Sequence, residues 1–153
     1  MTIQEITKAL MSALATNQSI VPAVNIYEGR RAQNINYPCI CVELGSDRVV
    51  EYKFPQERII QVFKVWVFVS QYNKDHQITD DGNGTYGIGT MINYLKLALT
   101  ADKGNPNMAT LNGQVDIYDV KIPSTTPGNV LYPILHAILN VEVDYRQNRS
   151  TRT

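Results

Sequence analysis

The sequence is poor in charge. Asp, Glu, Lys and Arg make up 18% of its 153 residues, against roughly 25% in an average soluble protein. The 14 basic and 14 acidic residues cancel, so no net charge attracts nucleic acid or an acidic membrane. No apolar stretch approaches the roughly 18–20 residues of a membrane helix. The start, Met1–Glu5, lacks a basic segment leading into an apolar run, so we expect no signal peptide. A polar, weakly charged surface of this kind suits contacts with other proteins.

Cysteine is scarce as well, with Cys39 and Cys41 the two in the chain. Residues two apart on a strand point the same way, which is a poor geometry for a mutual disulfide. We therefore expect two buried thiols in a cytosolic product, in preference to a metal or redox role.

The hydrophobic pattern predicts one α+β domain over residues 1–146, followed by a polar tail over residues 147–153. Helices are predicted over Thr2–Ala15, where Thr2 and Glu5 form a capping box, and over about Thr85–Ala101. The expected sheet is mostly antiparallel, with about five to six strands flanked by the two helices in the order α-β-β-β-β-α-β-β. The predicted strands are Val24–Glu28, Pro38–Leu44, Arg48–Lys53, Glu57–Ser70, a strand marked by Val115, Ile117 and Val120, and Val130–Arg146; the predicted loops include Tyr72–Gly84 and Pro123–Gly128.

The strand Glu57–Ser70 is apolar on both sides. One side carries Ile59, Phe63, Val65, Val67 and Val69, and the other carries Ile60, Val62, Trp66 and Phe68. Two helices can cover one side of a sheet this size, so we expect a partner subunit to cover the other.

The segment Gly82–Gly87 matches G-x-G-x-x-G and precedes the second predicted helix. A dinucleotide site needs the first glycine directly after a parallel strand, so that the helix N-terminus meets the pyrophosphate. Here a long polar loop intervenes, and a loop whose glycines allow the turn into the helix is favoured. A small nucleotide-binding enzyme that uses this loop is kept as an alternative from another functional class.

The same loop contains Asp75, His76, Asp80 and Asp81, which could suggest a metal site. A calcium loop starting at Asp81 would need an acidic residue at its twelfth position, where Ile92 stands. We therefore expect no metal, no cofactor and no catalytic residue. His136, on an apolar strand side, is expected to be a core or interface histidine.

Three segments resemble the tail terminator proteins of long-tailed phages, a family related to neck and tail-completion proteins. They are Tyr37–Leu44, Arg58–Val67 with its R-x-x-x-x-F-x-V-x-V pattern, and Ala137–Arg146. The resemblance implies a non-enzymatic subunit of a homohexameric ring, assembled in the host cytoplasm and located at the head-proximal end of the virion tail. It implies contacts with the tail tube protein and with a neck or head connector protein, while DNA passes through the lumen without specific binding. A neck or head-closure adaptor is the alternative within this class.

Partner surfaces are expected on the hairpin Asp47–Glu57, on the loop Tyr72–Gly84 and in the tail after Tyr145. A subunit interface is expected on a second apolar side of the long strands, with Ile60, Val62, Trp66 and Phe68 on one strand or Tyr132, Ile134 and Ile138 on the other. The predicted interface residues are Arg48, Glu51, Lys53, Glu57, Arg58, Trp66, Lys74, Asp75, His76, Asp80, Asp81, Tyr132, His136 and Arg146.

Overall fold

The computed structural model describes residues 1–16, 25–29, 36–72, 74–82, 86–99, 110–111, 113–128 and 133–148. These residues contain two helices, five strands and a one-turn 3-10 helix at Lys74–His76. In chain order the elements are α1 (Ile3–Thr16), β1 (Asn25–Glu28), β2 (Cys39–Lys53), β3 (Gln56–Ser70), α2 (Ile88–Leu99), β4 (Ile117–Pro127) and β5 (Ile134–Asn148).

The five strands form one sheet in the order β1-β2-β3-β5-β4. Strand β1 runs parallel to β2, and all other neighbours are antiparallel. The central pair, β3 and β5, stays in register from Gln56 opposite Asn148 to Ser70 opposite Ile134. This architecture confirms the predicted α+β class with two helices and a mostly antiparallel sheet. Strand β5 ends at Asn148, two residues beyond the predicted end.

Both helices pack on one side of the sheet, which we call the inner face. Helix α1 begins as predicted: the Glu5 amide donates to Thr2 Oγ1 at 3.2 Å, and the Thr2 amide donates to Glu5 Oε2 at 2.9 Å. The hydroxyl of Tyr94 on α2 donates to the carbonyl of Leu14, so a hydrogen bond joins the two helices. Burial raises the pKa of Tyr94, which keeps this donor protonated. The buried helix residues are Ile6, Leu10, Ala13, Leu14, Met91, Tyr94, Leu95, Ala98 and Leu99.

Strand β2 is continuous where two strands were predicted. Its pairing with β3 shifts between Leu44 and Asp47, where β2 carries one more residue than its partner. The side-chain amide of the buried Gln61 donates to the carbonyls of Gly45 at 3.0 Å and Ser46 at 3.2 Å. The polar Gly45-Ser46-Asp47 segment therefore forms a β-bulge inside one strand and not a break between two.

The prediction of a loop over Pro123–Gly128 is wrong, because β4 continues through it to Pro127. This strand lies at the edge of the sheet, where a proline is tolerated since its missing N–H need not bond to another strand. Asn140 on β5 donates from Nδ2 to Ser124 Oγ at 2.7 Å, which supports the pairing beside Pro123. Among the described helices, none is long and apolar enough to cross a membrane.

Candidate interaction surfaces

The side of the sheet opposite the helices, which we call the outer face, is only partly covered. On β3 and β5 every second residue is buried on the inner face, and the residues between them are half-buried except for Gln56 and Lys64, which are exposed. The inner-face prediction for β3 is confirmed, since Ile59, Phe63, Val65, Val67 and Val69 are at most 4% exposed. The half-buried apolar residues of the outer face are Ile60, Val62, Trp66, Phe68, Ile134 and Ile138, together with the imidazole of His136.

Three rings form a cluster at the end of the outer face where β3 finishes. Trp66 and Phe68 stack at 6.1 Å between ring centroids, and His136 lies 5.8 Å from each of them. Ring separations of this size are favourable aromatic contacts. The structure therefore brings together Trp66 and His136, two residues that the sequence analysis selected separately.

Gly128, directly after β4, forms the edge of this aromatic cluster. Its amide donates to the His136 carbonyl at 2.9 Å. A methyl group on Gly128 would lie 2.0 Å from His136 Nε2, so the imidazole packs directly against the glycine. The imidazole of His136 can therefore lie here because residue 128 has no side chain.

The other end of the outer face carries paired charges. Arg58 donates to Asp144 from Nε at 2.9 Å and from Nη2 at 2.6 Å, and its guanidinium lies 4.9 Å from the ring centre of Tyr118. Arg146 donates to Asp116 Oδ1 at 2.7 and 3.2 Å. These hydrogen bonds raise the pKa values of both arginines. Arg58 and Arg146 are opposite each other on β3 and β5, so carboxylates on both sides offset the repulsion of two adjacent cations.

Cys39 and Cys41 are buried free thiols, as expected from their spacing. The hydrogen bond with Cys41 and burial both raise the pKa of Cys39. A thiol that stays protonated is neither a good nucleophile nor a metal ligand.

The hairpin between β2 and β3 is exposed, in agreement with its selection as a surface. Leu44 is 59% exposed and Phe54, at the turn, is 76% exposed, with Val49, Val50 and Tyr52 also exposed between them. Arg48, Glu51 and Lys53 are exposed on the same strand, and Arg48 lies 3.7 Å from Glu142. Glu57 differs from its predicted surface position, because it is 2% exposed on the inner face.

The loop before α2 is fastened to the helix N-terminus. The amides of Ile88 and Gly89 donate to the carbonyls of Gln77 and Ile78 at 2.8 and 3.1 Å. Asp80 Oδ1 accepts from the Gly87 amide at 3.2 Å and from Thr90 Oγ1. This capping starts α2 at Ile88, later than the predicted Thr85.

These bonds bear directly on the nucleotide alternative. A phosphate site uses the free amides at a helix N-terminus, but here the protein's own carbonyls and carboxylate occupy them. A Cβ on Gly87 would lie 2.3 Å from the Ile78 backbone, so this glycine serves the packing of the loop on the helix. The amides of Gly87, Ile88 and Gly89 are therefore already bonded within the protein and not free for a phosphate.

The remaining predicted residues are distributed as follows. Lys74, Asp75 and His76 form the 3-10 helix, and His76 Nδ1 lies 3.2 Å from Thr79 Oγ1. Asp81 is half-buried in the same loop. No group of three or more potential metal-ligating side chains occurs among the described residues. Tyr132 lies outside the described residues.

Of the comparisons with known proteins, the one with solved structures gives a match. No family model and no curated protein matches this chain. Among solved structures, a chain in the virion of a native gene transfer agent particle superposes with a TM-score of 0.52. The chain shares the fold of a virion component. The superposition covers 93% of this chain and 98% of that one at 10% sequence identity, so the similarity extends over the whole fold but not to individual residues.

Sequence reasoning missed four residues that shape these surfaces. Asp116 and Asp144 are ordinary acids in the sequence, and their arginine partners are 30 and 86 residues away. Gly128 gave no signal beyond its place in a predicted loop. Phe54 had one: it is a large aromatic residue next to a proline in an otherwise polar turn, which is a pattern of an exposed contact residue.

Proposed function

We propose that this protein is a non-enzymatic structural subunit of a phage-like virion, and that it acts as a tail terminator. In this role copies form a ring that caps the last ring of the tail tube, stops tube growth and presents a surface to the neck or head connector. The family resemblance implies six subunits. The ring would lie at the head-proximal end of the tail.

The observation that carries the proposal is the outer face. In a single domain, tryptophan, phenylalanine and isoleucine side chains on this face stay half-buried. A neighbouring subunit in a ring would bury them fully. The fold shared with a gene transfer agent virion chain supports a virion role for that assembly. Two local features agree with a structural role: the amides of Gly87, Ile88 and Gly89 are bonded within the protein, and the pKa of Cys39 is raised.

Inactivating the gene in the phage-like element that encodes it tests the proposal. Without a terminator, tail tubes grow beyond their normal length and do not join heads, and both are visible by negative-stain electron microscopy. Supplying the protein from a plasmid should restore tails of uniform length. Tails of normal length on heads that leak DNA would instead identify a neck or head-closure adaptor. Normal particles in normal yield would contradict both functions.

The relation to DNA follows from the charge. A ring through which the duplex slides should not bind phosphates strongly, since each neutralised phosphate adds to salt-dependent affinity. The equal numbers of acidic and basic residues agree with this requirement. We expect no sequence-specific binding and weak binding at low salt in a gel-shift assay. Submicromolar affinity at physiological salt would contradict a sliding ring.

A further inference from the structure

The hairpin carries an exposed aromatic side chain, and a pocket lies elsewhere on the same chain. The pocket has a volume of about 620 Å³ and lies between the first turns of α1 and the edge of β2. Gln4, Thr7 and Met11 of α1 form one wall, and Val42 and Phe63 are on the sheet side. A volume of this size accommodates a large aromatic side chain with its neighbours.

The pocket opens where β1 stops covering β2. The Gly29 amide donates to the Val42 carbonyl at 2.7 Å, and this is the last bond between the two strands among the described residues. Among the residues that the structure describes, no strand pairs with that edge of β2 from Glu43 onward, and Leu44 there is exposed. Strand edges with exposed apolar side chains are places where another chain binds.

The hairpin turn carries the matching group. Phe54 is 76% exposed at the tip, and Lys53 and Glu51 stand beside it. The pocket residues include Lys8, Glu28 and Glu43, so an ammonium next to Phe54 can meet a carboxylate, and Glu51 can meet Lys8. One buried oxygen of Glu43 has no hydrogen-bond partner among the described residues. A buried carboxylate oxygen of this kind favours a donor brought by a partner.

Phe54 cannot reach the pocket of its own chain. Strand β2 is paired with β3 as far as Lys53 opposite Gln56, which holds the turn away from Leu44. Ten residues of extended chain span about 33 Å. A contact between Phe54 and this pocket would therefore have to join two molecules.

We propose that the pocket between α1 and β2 binds the β2–β3 hairpin of a second copy of this chain, with Phe54 in the pocket and Lys53 beside Glu43 and Glu28. The hairpin and the pocket are different surfaces of one molecule, so the contact is head-to-tail. Repeated contacts of this kind close into a ring if the rotation between neighbouring subunits allows it. The inference rests on the proposed function in that it supplies the contact that links neighbours in the terminator ring.

Two variants separate the halves of this contact. Phe54→Ala removes the inserted side chain, and Gln4→Trp fills the pocket from an exposed position on α1. Val115→Ala is the matched control, because Val115 is an 89% exposed apolar residue just before β4, the edge opposite β1 and β2. Thermal unfolding confirms that each variant folds.

Sedimentation velocity at concentrations up to millimolar gives the readout. We expect wild type and Val115→Ala to associate, and each of the two test variants to associate at least tenfold more weakly. A one-to-one mixture of the test variants should form dimers and stop there, because only one intact hairpin and one intact pocket remain between them.

Association of Phe54→Ala equal to wild type, a mixture that stays monomeric, or a wild type that is monomeric at millimolar concentration would each overturn the inference. These results leave the terminator proposal standing, since that proposal is decided by tail length in particles. Conversely, a confirmed hairpin contact in a protein whose loss leaves tails normal would refute the terminator function alone.

Discussion

The two faces of the sheet share the same strands but have different degrees of burial. Along β3 and β5 the residues facing the helices are nearly inaccessible, whereas their immediate neighbours in sequence remain half-exposed. The difference does not come from hydrophobicity, because Trp66, Phe68 and Ile138 are as apolar as the residues of the inner face. It arises because the two described helices, of 14 and 12 residues, both cover the same side of the sheet. The inner face forms the core of the domain, and the outer face is the one that we propose for contacts with other chains.

The strongest test of this comparison uses two phenylalanines on one strand. Phe63 faces the helices and Phe68 faces outward. We expect Phe63→Ala to lower the free energy of unfolding by about 3–5 kcal/mol, because it opens a cavity in a packed core. Phe68→Ala should cost about 1–2 kcal/mol, since part of its ring is already exposed. Urea unfolding of both variants measures the difference, and equal losses would mean that the outer face is already part of the core.

The outer face is not uniformly exposed, because Cys39 and Cys41 lie opposite Phe68 and Trp66 on this face and both thiols are buried. The Cys41 hydrogen bond and burial raise the pKa of Cys39, while an unfolded thiol ionises near about pH 8.5. Because the pKa of the folded thiol is raised, its contribution to stability is complete below the pKa of the unfolded thiol. That contribution is lost as the pH rises above this value and the unfolded thiol ionises. The loss reaches about 2 kcal/mol at about pH 10. Unfolding of wild type and Cys39→Ala near neutral pH and at the higher pH measures it. The advantage of wild type should shrink by that amount, and a pH-independent difference would contradict the burial of the thiol.

A smaller effect is expected at the edge of the aromatic cluster. Gly128→Ala places a methyl group on the His136 imidazole and should cost about 1–2 kcal/mol, since overpacking forces a ring to move. Trp66, the single tryptophan, should report the change in its fluorescence. Adding His136→Ala should recover most of the loss, which a double-mutant cycle measures as coupling. Additive losses would show that ring and glycine do not interact.

The smallest effect concerns the layer behind the inner face. Tyr94→Phe removes the hydroxyl that donates to the Leu14 carbonyl and should cost about 1 kcal/mol. Chemical denaturation gives the value, and Tyr86→Phe serves as a control on the partly buried tyrosine before α2. An unchanged stability would mean that water replaces the hydroxyl without penalty.

The sequence predicted those helices and strands that are determined by residues close together in the chain. The capping box of Thr2 and Glu5 starts α1, and the two-residue period of a strand divides Ile59–Val69 into the two sides that β3 shows. The pattern could not show that Gly45 and Ser46 form a bulge within β2, because the bulge depends on Gln61 of another strand. Likewise β4 passes through Pro123 because it lies at an edge, a position that topology decides. Alternation therefore predicts which way a residue faces, but not whether a strand continues.

The surfaces were predicted less completely than the fold. Alternation assigned Trp66 and His136 each to a side of its own strand, but did not show that the two sides are the same face of the sheet. Their meeting, and the pairing of Arg58 with Asp144 across 86 residues, depend on strand order, which no single segment contains. Asp80 was selected as an interface residue; it is exposed, and it also accepts hydrogen bonds from the Gly87 amide and from Thr90 Oγ1, a contact between loop and helix that its place in the sequence did not indicate.

The β2 bulge has a consequence for how the length of this chain can change. Gly45 and Ser46 together stand opposite Val62, so at this point β2 carries one residue more than regular pairing needs. In a regularly paired part of a strand, a one-residue deletion would turn every later side chain to the opposite face. Here, removing Ser46 would pair Leu44, Gly45 and Asp47 with Phe63, Val62 and Gln61 without reversing anything beyond. Related sequences one residue shorter at this point would keep the same hairpin side chains on the same faces and differ in the bend of the strand.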